Sequence, residues 1–282
     1  MSLALVKTYF GFTSLVNPEK AAKKGFKLFQ KVRKKEILER EKLFYSQARS
    51  FELNRRDETI HCFEMGNPNG ELVILVHGWD SNAGSMSKIA NKMVSLDKRV
   101  IALNLPGHAY HKNKFTNLIE CRDALMDLFE FIQPSPSTTI ISHSFGSAVT
   151  ANALAKSKIK IKNLIFLTNP NLVIDIFYQF KSSVGLNNVA FNKMIKMSEA
   201  RFGIKIQSLD VQENLKNASY DRFLMMHDVH DKVLPIKYAK DLNNELENSQ
   251  LIQLEKVGHY KMLWNDEVVD RCGAFAQGRE VF

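Results

Sequence analysis

Apolar runs suited to strands alternate along the chain with stretches whose apolar residues recur at helical spacing. Residues 73–76 form a continuous apolar run, as expected for a strand buried on both faces of a parallel sheet. The patterns predict seven strands, near residues 59–63, 72–76, 99–103, 139–142, 163–167, 223–227 and 251–254. They also predict five helices, near residues 85–96, 118–131, 145–156, 236–243 and 265–276. This alternation favours parallel pairing through crossovers, so the predicted fold class is α/β with a doubly wound, mostly parallel sheet.

Two regions depart from this alternation. Residues 171–221 separate two predicted strands, and their apolar spacing is helical, which predicts an inserted helical domain. The predicted core therefore consists of residues 51–170 and 222–282. Residues 1–50 precede the core and are predicted to form a basic amphipathic helical extension.

The charge of the chain is concentrated in this extension. Residues 1–56 hold 14 Lys and Arg against five Asp and Glu, a net charge of +9, which equals that of the whole chain. Residues 18–48 interleave basic residues with apolar residues at roughly helical spacing, namely Phe26, Phe29, Val32, Ile37, Leu43 and Phe44. Either this helix packs its apolar face on the protein body, or it lies on an acidic membrane surface. Nucleic-acid binding is not expected, because the sequence has no binding motif and no aromatic stacking series.

Composition is consistent with one α/β domain and an insertion. A chain of 282 residues with 45% hydrophobic residues can bury a large core. Its three cysteines are widely spaced, so reduced thiols are expected. The first residues lack a charged leader and a cleavage site, and polar residues interrupt the longest apolar stretch. We therefore expect a cytoplasmic protein, whose oligomeric state the sequence does not indicate.

A serine stands where a predicted strand turns into a predicted helix. In the run TTIISHSFGSAV, Ser144 follows the strand directly and precedes a helix rich in small residues. Such a turn pushes the serine hydroxyl out of the sheet, where the helix N-terminus favours developing negative charge. Ser142 and Gly146 are small enough for strand and helix to pack closely. Ser144 is thus a candidate nucleophile, and a serine that only caps the helix is the alternative.

The predicted strand at residues 72–76 ends in His77-Gly78-Trp79. Gly78 permits a close turn that would leave the backbone N–H of Trp79 free to donate to a developing oxyanion. The N–H of Phe145 would be the second donor. An ordinary glycine turn after a strand is the alternative.

Two acids follow the predicted strand at residues 223–227. An acid in this loop can orient a histidine and offset the charge that it gains. We favour Asp231 from its spacing within the DKVLP turn, and Asp228, nearer the strand end, is the competitor. His227, Asp228, His230 and Asp231 also suggest a metal site, a minor alternative because no separate cluster completes a ligand set.

A histidine follows the last predicted strand. His259 comes directly after Gly258, in a loop from which one ring nitrogen could reach the serine and the other the acid, and an ordinary loop histidine is the alternative. The chain order Ser144, Asp231, His259 is that of the α/β-hydrolases.

Together these motifs resemble the α/β-hydrolase fold superfamily, and within it the capped, lipase- or esterase-like serine hydrolases. VHGW at residues 76–79 resembles the oxyanion motif, and LNLPGHAYH at residues 103–111 resembles the D-x-P-G-H-G-x-S loop. SHSFG resembles the nucleophile elbow, DKVLP the acid loop and VGHY the histidine loop. The resemblance covers residues 58–282.

The resemblance implies a role for each matching residue. Ser144 would be the nucleophile, His259 the base and Asp231 the acid, and the N–H groups of Trp79 and Phe145 would hold the oxyanion. The chain departs from the family pattern at three positions. Asn104 stands where an aspartate is usual, and glycine is usual at Ala109 and Ser142.

The expected reaction is hydrolysis of a carboxylic ester or thioester with an apolar acyl group, through an acyl-enzyme and without a metal or organic cofactor. His143 and three residues of the insertion, Phe177, Met194 and Met197, are the candidate pocket residues. Alternatively, the insertion residues form that region's own core. An acyltransferase, a C–C hydrolase using the same triad and a non-catalytic ligand-binding or membrane-docked protein also remain open.

Overall fold

The computed structural model describes residues 2–33, 37–55 and 58–281. Within these ranges eight strands form one sheet in the order β1-β2-β4-β3-β5-β6-β7-β8. They are β1 (Arg49–Arg55), β2 (Glu58–Gly66), β3 (Leu72–Val76), β4 (Arg99–Leu103), β5 (Thr139–His143), β6 (Lys160–Leu167), β7 (Ser219–Asp228) and β8 (Ser249–Leu254). β2 pairs antiparallel with β1 and β4, and all other neighbours are parallel. The predicted α/β class is confirmed.

Eleven α-helices accompany the sheet in the described part of the chain. They are α1 (Leu3–Val16), α2 (Pro18–Phe29), α3 (Glu39–Gln47), α4 (Ser87–Ser95), α5 (Leu118–Ile132), α6 (Phe145–Ser157), α7 (Val173–Val184), α8 (Asn188–Phe202), α9 (Val211–Lys216), α10 (Lys237–Glu245) and α11 (Asp266–Ala276). Each predicted strand and helix has an observed counterpart. The prediction missed β1, a mostly exposed edge strand in which only Leu53 is buried.

The two faces of the sheet carry separate apolar cores, and β3 illustrates the division. Leu72, Ile74 and Val76 join a cluster with residues of α5, α6 and α10. Val73 and Leu75 point to the other face and join a cluster with residues of α3, α4 and α11. This alternation along a strand buried on both sides explains its continuous apolar sequence.

A third apolar cluster lies outside the sheet. The helical insertion (α7, α8 and α9) lies between β6 and β7, and α1 and α2 pack against α7 and α8. Phe26 of α2 is buried in this cluster, and the ring of Phe29 lies 4.4 Å from that of Phe177 on α7. The apolar face of α2 therefore packs on the insertion rather than on the sheet.

The helical pattern predicted over residues 18–48 is interrupted in the structure. Helices α2 and α3 are separated by a connecting segment (residues 30–33) and by residues 34–36, which lie outside the described ranges. Val32 is buried, and its N–H donates to the carbonyl of Lys114 over 2.8 Å, while the N–H of Thr116 donates to the carbonyl of Gln30. This segment joins the helix pair to the loop that follows β4. No helix in the described ranges is long and apolar enough to cross a membrane.

Ala109, one of the three departures from the family pattern, has a left-handed backbone with φ 46°. A side chain in this conformation costs roughly 1–2 kcal/mol, and glycine gives back about 0.5–1 kcal/mol through its greater freedom when unfolded. We therefore expect Ala109→Gly to raise the free energy of unfolding by up to about 1 kcal/mol, measured by urea denaturation.

The matched control is Ala200→Gly on the exposed side of α8, where a helical backbone favours alanine. It should lower the free energy of unfolding by about 1 kcal/mol. If Ala109→Gly destabilised the protein as Ala200→Gly does, the backbone at residue 109 would not be strained.

Candidate active site

Ser144 occupies a strained turn between β5 and α6. Its backbone has φ 52° and ψ −119°, a conformation that side chains rarely adopt. The turn is held by its N–H, which donates to the carbonyls of Leu167 and Thr168 at the end of β6. A Cβ at Gly146 would lie 2.4 Å from the carbonyl oxygen of Val76, so only glycine lets α6 approach β3 this closely.

Ser142 is accommodated without strain at a position where glycine is usual. It lies within the extended backbone of β5, and its buried side chain is paired. Its hydroxyl lies 2.6 Å from the hydroxyl of Thr150 on α6. The departure therefore adds a hydrogen bond between the strand and the helix that flank Ser144.

The structure brings together the three side chains proposed from the sequence as a triad. Nε2 of His259 lies 3.0 Å from Oγ of Ser144, and Nδ1 lies 2.7 Å from Oδ2 of Asp231. A carboxylate can only accept, so Nδ1 carries the hydrogen and the lone pair of Nε2 faces the serine hydroxyl. In this tautomer the imidazole can take the serine proton.

Asp231 is surrounded by donors. Besides His259, its carboxylate accepts from the hydroxyl of Thr168 over 2.9 Å and from the N–H groups of Val233 and Leu234. Burial alone would raise the pKa of Asp231, but the hydrogen bond and charge of His259 and these N–H groups hold it well below its usual value. The acid therefore stays ionised and fixes the ring.

Asp228 has a different task from Asp231. One of its oxygens accepts from the N–H groups of Val257 and Gly258, each over 2.6 Å, and the other accepts from the N–H of His230. Burial would raise its pKa, but these donors outweigh that effect and lower it. Asp228 thus ties the loop that carries His259 to the end of β7.

His143, predicted as a pocket residue, also holds the histidine loop. Its Nε2 lies 2.9 Å from the carbonyl oxygen of His259, so this nitrogen donates. Burial lowers the pKa of His143 to about 3, which keeps the ring neutral beside His259. The other ring nitrogen has no hydrogen-bond partner among the described residues.

The three pocket residues predicted in the insertion have a different setting. Phe177 and Met194 are buried in the apolar cluster with α1 and α2, and Met197 packs against that cluster. Their described contacts thus run to the N-terminal helices, and a role in lining the pocket stays a prediction.

The residues of the two predicted oxyanion donors lie beside Ser144, since Phe145 follows it in the chain and a Cβ at Gly78, next to Trp79, would lie 3.2 Å from Cβ of Ser144. Phe145 follows Ser144 as the first residue of α6, where an N–H has no intrahelical partner, and no described residue accepts from the N–H of Trp79. The rings of Trp79 and Phe145 meet edge to face with centroids 5.0 Å apart. A Cβ at Gly78 would lie 2.9 Å from Nδ1 of His143, so the turn before Trp79 requires glycine.

The residue after Trp79 is held by the N-terminal segment. Asp80 is buried and has a left-handed backbone with φ 56°. One carboxylate oxygen accepts from the N–H of Arg33, and the other from Nε and a terminal nitrogen of the same guanidinium, each over 2.7 Å. The connecting segment therefore supports the loop that carries Trp79.

Sequence reasoning missed the roles of Thr168, Asp228, Arg33 and Asp80. Asp80 directly follows the oxyanion motif, and the sequence offered Asp228 as the competing acid or as part of a metal site, not as a support for the histidine loop. Arg33 and Thr168 belong to no motif. Asn104, another departure from the family pattern, ties two loops together, because its side-chain oxygen accepts from the N–H of Ala83 over 2.8 Å.

The sheet and its flanking helices define an α/β-hydrolase, and the chain is a serine hydrolase of this superfamily. It belongs to the Hydrolase_4 family (serine aminopeptidase, S33), whose pattern matches residues 67–220, more than half of the chain. The match includes Ser144 and ends before Asp231 and His259.

Solved structures share the fold at low identity. Est1E from Butyrivibrio proteoclasticus with bound ferulic acid superposes with a TM-score of 0.67 at 14% identity, covering 81% of this chain and 98% of that one. A serine hydrolase from Cycloclasticus zankles gives a TM-score of 0.61 at 17% identity, covering 82% and 98%. Mouse alpha/beta hydrolase domain-containing protein 10 gives 0.62 at 13% identity, with the same two coverages.

A curated relative matches a shorter part of the chain. The dihydrolipoyllysine-residue acetyltransferase component of the acetoin cleaving system of Pseudomonas putida is 27% identical over 118 residues, 40% of this chain and 30% of that protein. The chain thus spans less than one third of the length of this relative.

Asp228→Asn should destabilise the protein in a pH-dependent way. Asparagine has one acceptor oxygen where aspartate has two, so the three N–H groups are no longer all satisfied. This should lower the free energy of unfolding by about 2 kcal/mol at neutral pH. Because the native pKa of Asp228 is lowered, its contribution is complete above the unfolded-state pKa of about 4 and is lost as pH falls through the native value. Urea unfolding of both proteins from neutral to acid pH should show this gap closing.

Asp221→Asn on the same strand is the control. Among the described residues Asp221 forms only an exposed ion pair, with Lys160, so its replacement should change the stability by less than about 1 kcal/mol. If the difference in free energy of unfolding between Asp228→Asn and the unmodified protein stayed the same in acid, the carboxylate charge would not be responsible.

Arg33→Ala should slow ester turnover through the loop that carries Trp79. It leaves the buried carboxylate of Asp80 with the backbone N–H of residue 33 but without the guanidinium, so the loop should shift. We expect kcat/KM for a short p-nitrophenyl ester to fall roughly tenfold. Arg40→Ala removes a guanidinium of α3 that stacks on the ring of Trp264, and it should leave kcat/KM unchanged. Equal values for the two variants would contradict a role for Arg33.

Proposed function

We propose that this protein is a carboxylic-ester or thioester hydrolase that acts through Ser144, His259 and Asp231. The observation that carries the proposal is the position of one imidazole, 3.0 Å from the serine hydroxyl and 2.7 Å from a buried, ionised carboxylate. A serine that only capped α6 would need neither neighbour.

In the proposed reaction, His259 Nε2 takes the proton of Ser144 as Oγ attacks the substrate carbonyl. The imidazolium that forms is stabilised by Asp231, which stays ionised because its neighbours lower its pKa. The N–H groups of Trp79 and Phe145 donate to the oxyanion of the tetrahedral intermediate, and one such donor is typically worth about 10²–10³ in rate. His259 then protonates the leaving alcohol or thiol, which gives the acyl-enzyme.

Water completes the cycle by the same route. His259 accepts a proton from the water that attacks the acyl-enzyme, and returns it to Ser144 as the acid product leaves. These steps use only protons and side chains of this chain, so we propose that no metal or organic cofactor takes part.

An apolar acyl group is the substrate that the surroundings of Ser144 favour. The rings of Trp79 and Phe145 are partly exposed and in contact beside the nucleophile, and they offer an apolar wall. We propose that the helical insertion acts as a cap over this wall and that residues 171–221 form a domain separate from the core.

Acyl transfer to another acceptor and C–C hydrolysis could use the same three residues. No residue in the described site favours either of these reactions over attack by water. The Pseudomonas putida relative is an acetyltransferase component, but the match covers only 40% of this chain. We therefore propose hydrolysis.

Ser144→Ala should reduce the turnover of p-nitrophenyl esters in purified protein by roughly 10⁴-fold or more, because the nucleophile is lost. A fluorophosphonate probe should label the unmodified protein at Ser144, located by peptide mass spectrometry, and should not label the variant. A series of esters and thioesters of increasing acyl length would then define the preferred substrate.

Ser157→Ala at the far end of α6 is the matched control and should keep full activity and labelling. Unchanged turnover in Ser144→Ala, or labelling at another residue, would refute the assignment. A protein that folds but neither turns over esters nor reacts with the probe would be a non-catalytic binder.

A further inference from the structure

Helix α1 has two apolar faces, one buried against the protein and the other exposed to solvent. Its inner face holds Phe10 in the apolar cluster with α2, α7 and α8. The outer face exposes Leu5, Phe12, Leu15 and Val16, with exposed fractions of 59, 68, 76 and 69%. At 100° per residue these four side chains fall on one side of the helix, and Thr8 between them is also exposed. We call these four residues the outer stripe.

Lysines border the outer stripe. The Nζ of Lys24 on α2 lies 4.9 Å from the ring centre of Tyr9, which is one helical turn from both Leu5 and Phe12. The ammonium of Lys24, and more weakly that of Lys20, lowers the pKa of Tyr9. Lys7 lies on the opposite border, where its backbone packs against Gly185. Within the described parts of the chain none of these three lysines has a carboxylate partner.

We propose that this surface docks on an anionic lipid bilayer. Apolar side chains on one face of a helix, flanked by unpaired lysines, have the chemistry of a helix that lies in a membrane interface. The apolar side chains enter the boundary of the acyl chains, and the lysines meet the acidic headgroups, each adding about a factor of five in affinity. This surface belongs to residues 3–24.

The site differs from the basic segment that the sequence suggested. In residues 18–48 the apolar positions Phe26, Val32 and Phe44 are buried in the protein, so they are not available to a membrane. Leu28, Leu38 and Leu43 are exposed in this segment, but they lie singly, on α2, before α3 and on α3. The lipid contact therefore comes from α1, and α2 contributes its lysines.

Co-sedimentation with vesicles tests this proposal. The full chain should pellet with vesicles of phosphatidylcholine containing about one third phosphatidylglycerol, and much less with phosphatidylcholine alone. Phe12→Gln/Leu15→Gln should lower the partition coefficient at least tenfold, and Lys20→Gln/Lys24→Gln should lower it roughly 30-fold on the acidic vesicles. Raising the salt concentration should weaken binding by the unmodified protein.

Two control variants match these changes in type and exposure. Leu43→Gln/Phe131→Gln removes exposed apolar side chains elsewhere, and Lys112→Gln/Lys240→Gln removes exposed lysines elsewhere. Both should bind like the unmodified protein, and circular dichroism should show all variants folded. Ser144→Ala should also bind normally, because docking does not depend on catalysis.

Three results would overturn the proposal. The first is absence of the unmodified protein from the acidic pellet. The second is an equal loss of binding in the stripe variant and its control. The third is a stripe variant that dissolves a dimer, by light scattering, without changing vesicle binding, which would assign the outer stripe to a second copy of this chain.

Discussion

The strained backbone of Ser144, with φ 52° and ψ −119°, is the constraint on which the site depends. The conformation is costly for a side chain, and the surrounding structure must impose it. Two carbonyls at the end of β6 fix its N–H, and Gly146 lets α6 begin beside β3. Ser142 adds a hydroxyl bond between β5 and α6 at the same place. Three neighbouring parallel strands and one helix thus hold this conformation, which aims the hydroxyl away from the sheet.

Two aspartates three positions apart position the imidazole through different contacts. Asp231 contacts the ring of His259 and sets its tautomer, whereas Asp228 contacts the backbone just before it. His143, the residue before the nucleophile, also fixes this loop by donating to the carbonyl of His259. Ring orientation and loop position are therefore controlled by separate groups, and loss of one need not disturb the other directly.

The sequence was informative where local pattern decides the structure. The apolar run of β3 and the order of Ser144, Asp231 and His259 led to the sheet and to three side chains that lie within hydrogen-bond distance. It was uninformative where partners are far apart in the chain. Arg33 and Asp80 are separated by 47 positions, and neither residue type indicates the other.

Helical periodicity has a similar limit. It shows that Phe177 and Met194 belong to an apolar face, but not that α1 and α2 cover that face. The edge strand β1 has too few apolar residues for its alternation to be recognised. Long-range packing decides these features, and a single sequence does not record it.

If the insertion caps Ser144 as we propose, the attachment of the N-terminal helices to two parts of the molecule limits how substrate can be admitted. Helices α1 and α2 share an apolar cluster with α7 and α8, and the segment after α2 is bonded to the loop at Lys114 and to Asp80. An outward swing of the insertion alone would therefore break its packing on α1 and α2. Wider opening must either carry the helix pair with it, and so pull on the loop beside Trp79, or shear the cluster apart. Substrate entry and the position of the loop beside Trp79 would then be coupled through residues 2–33.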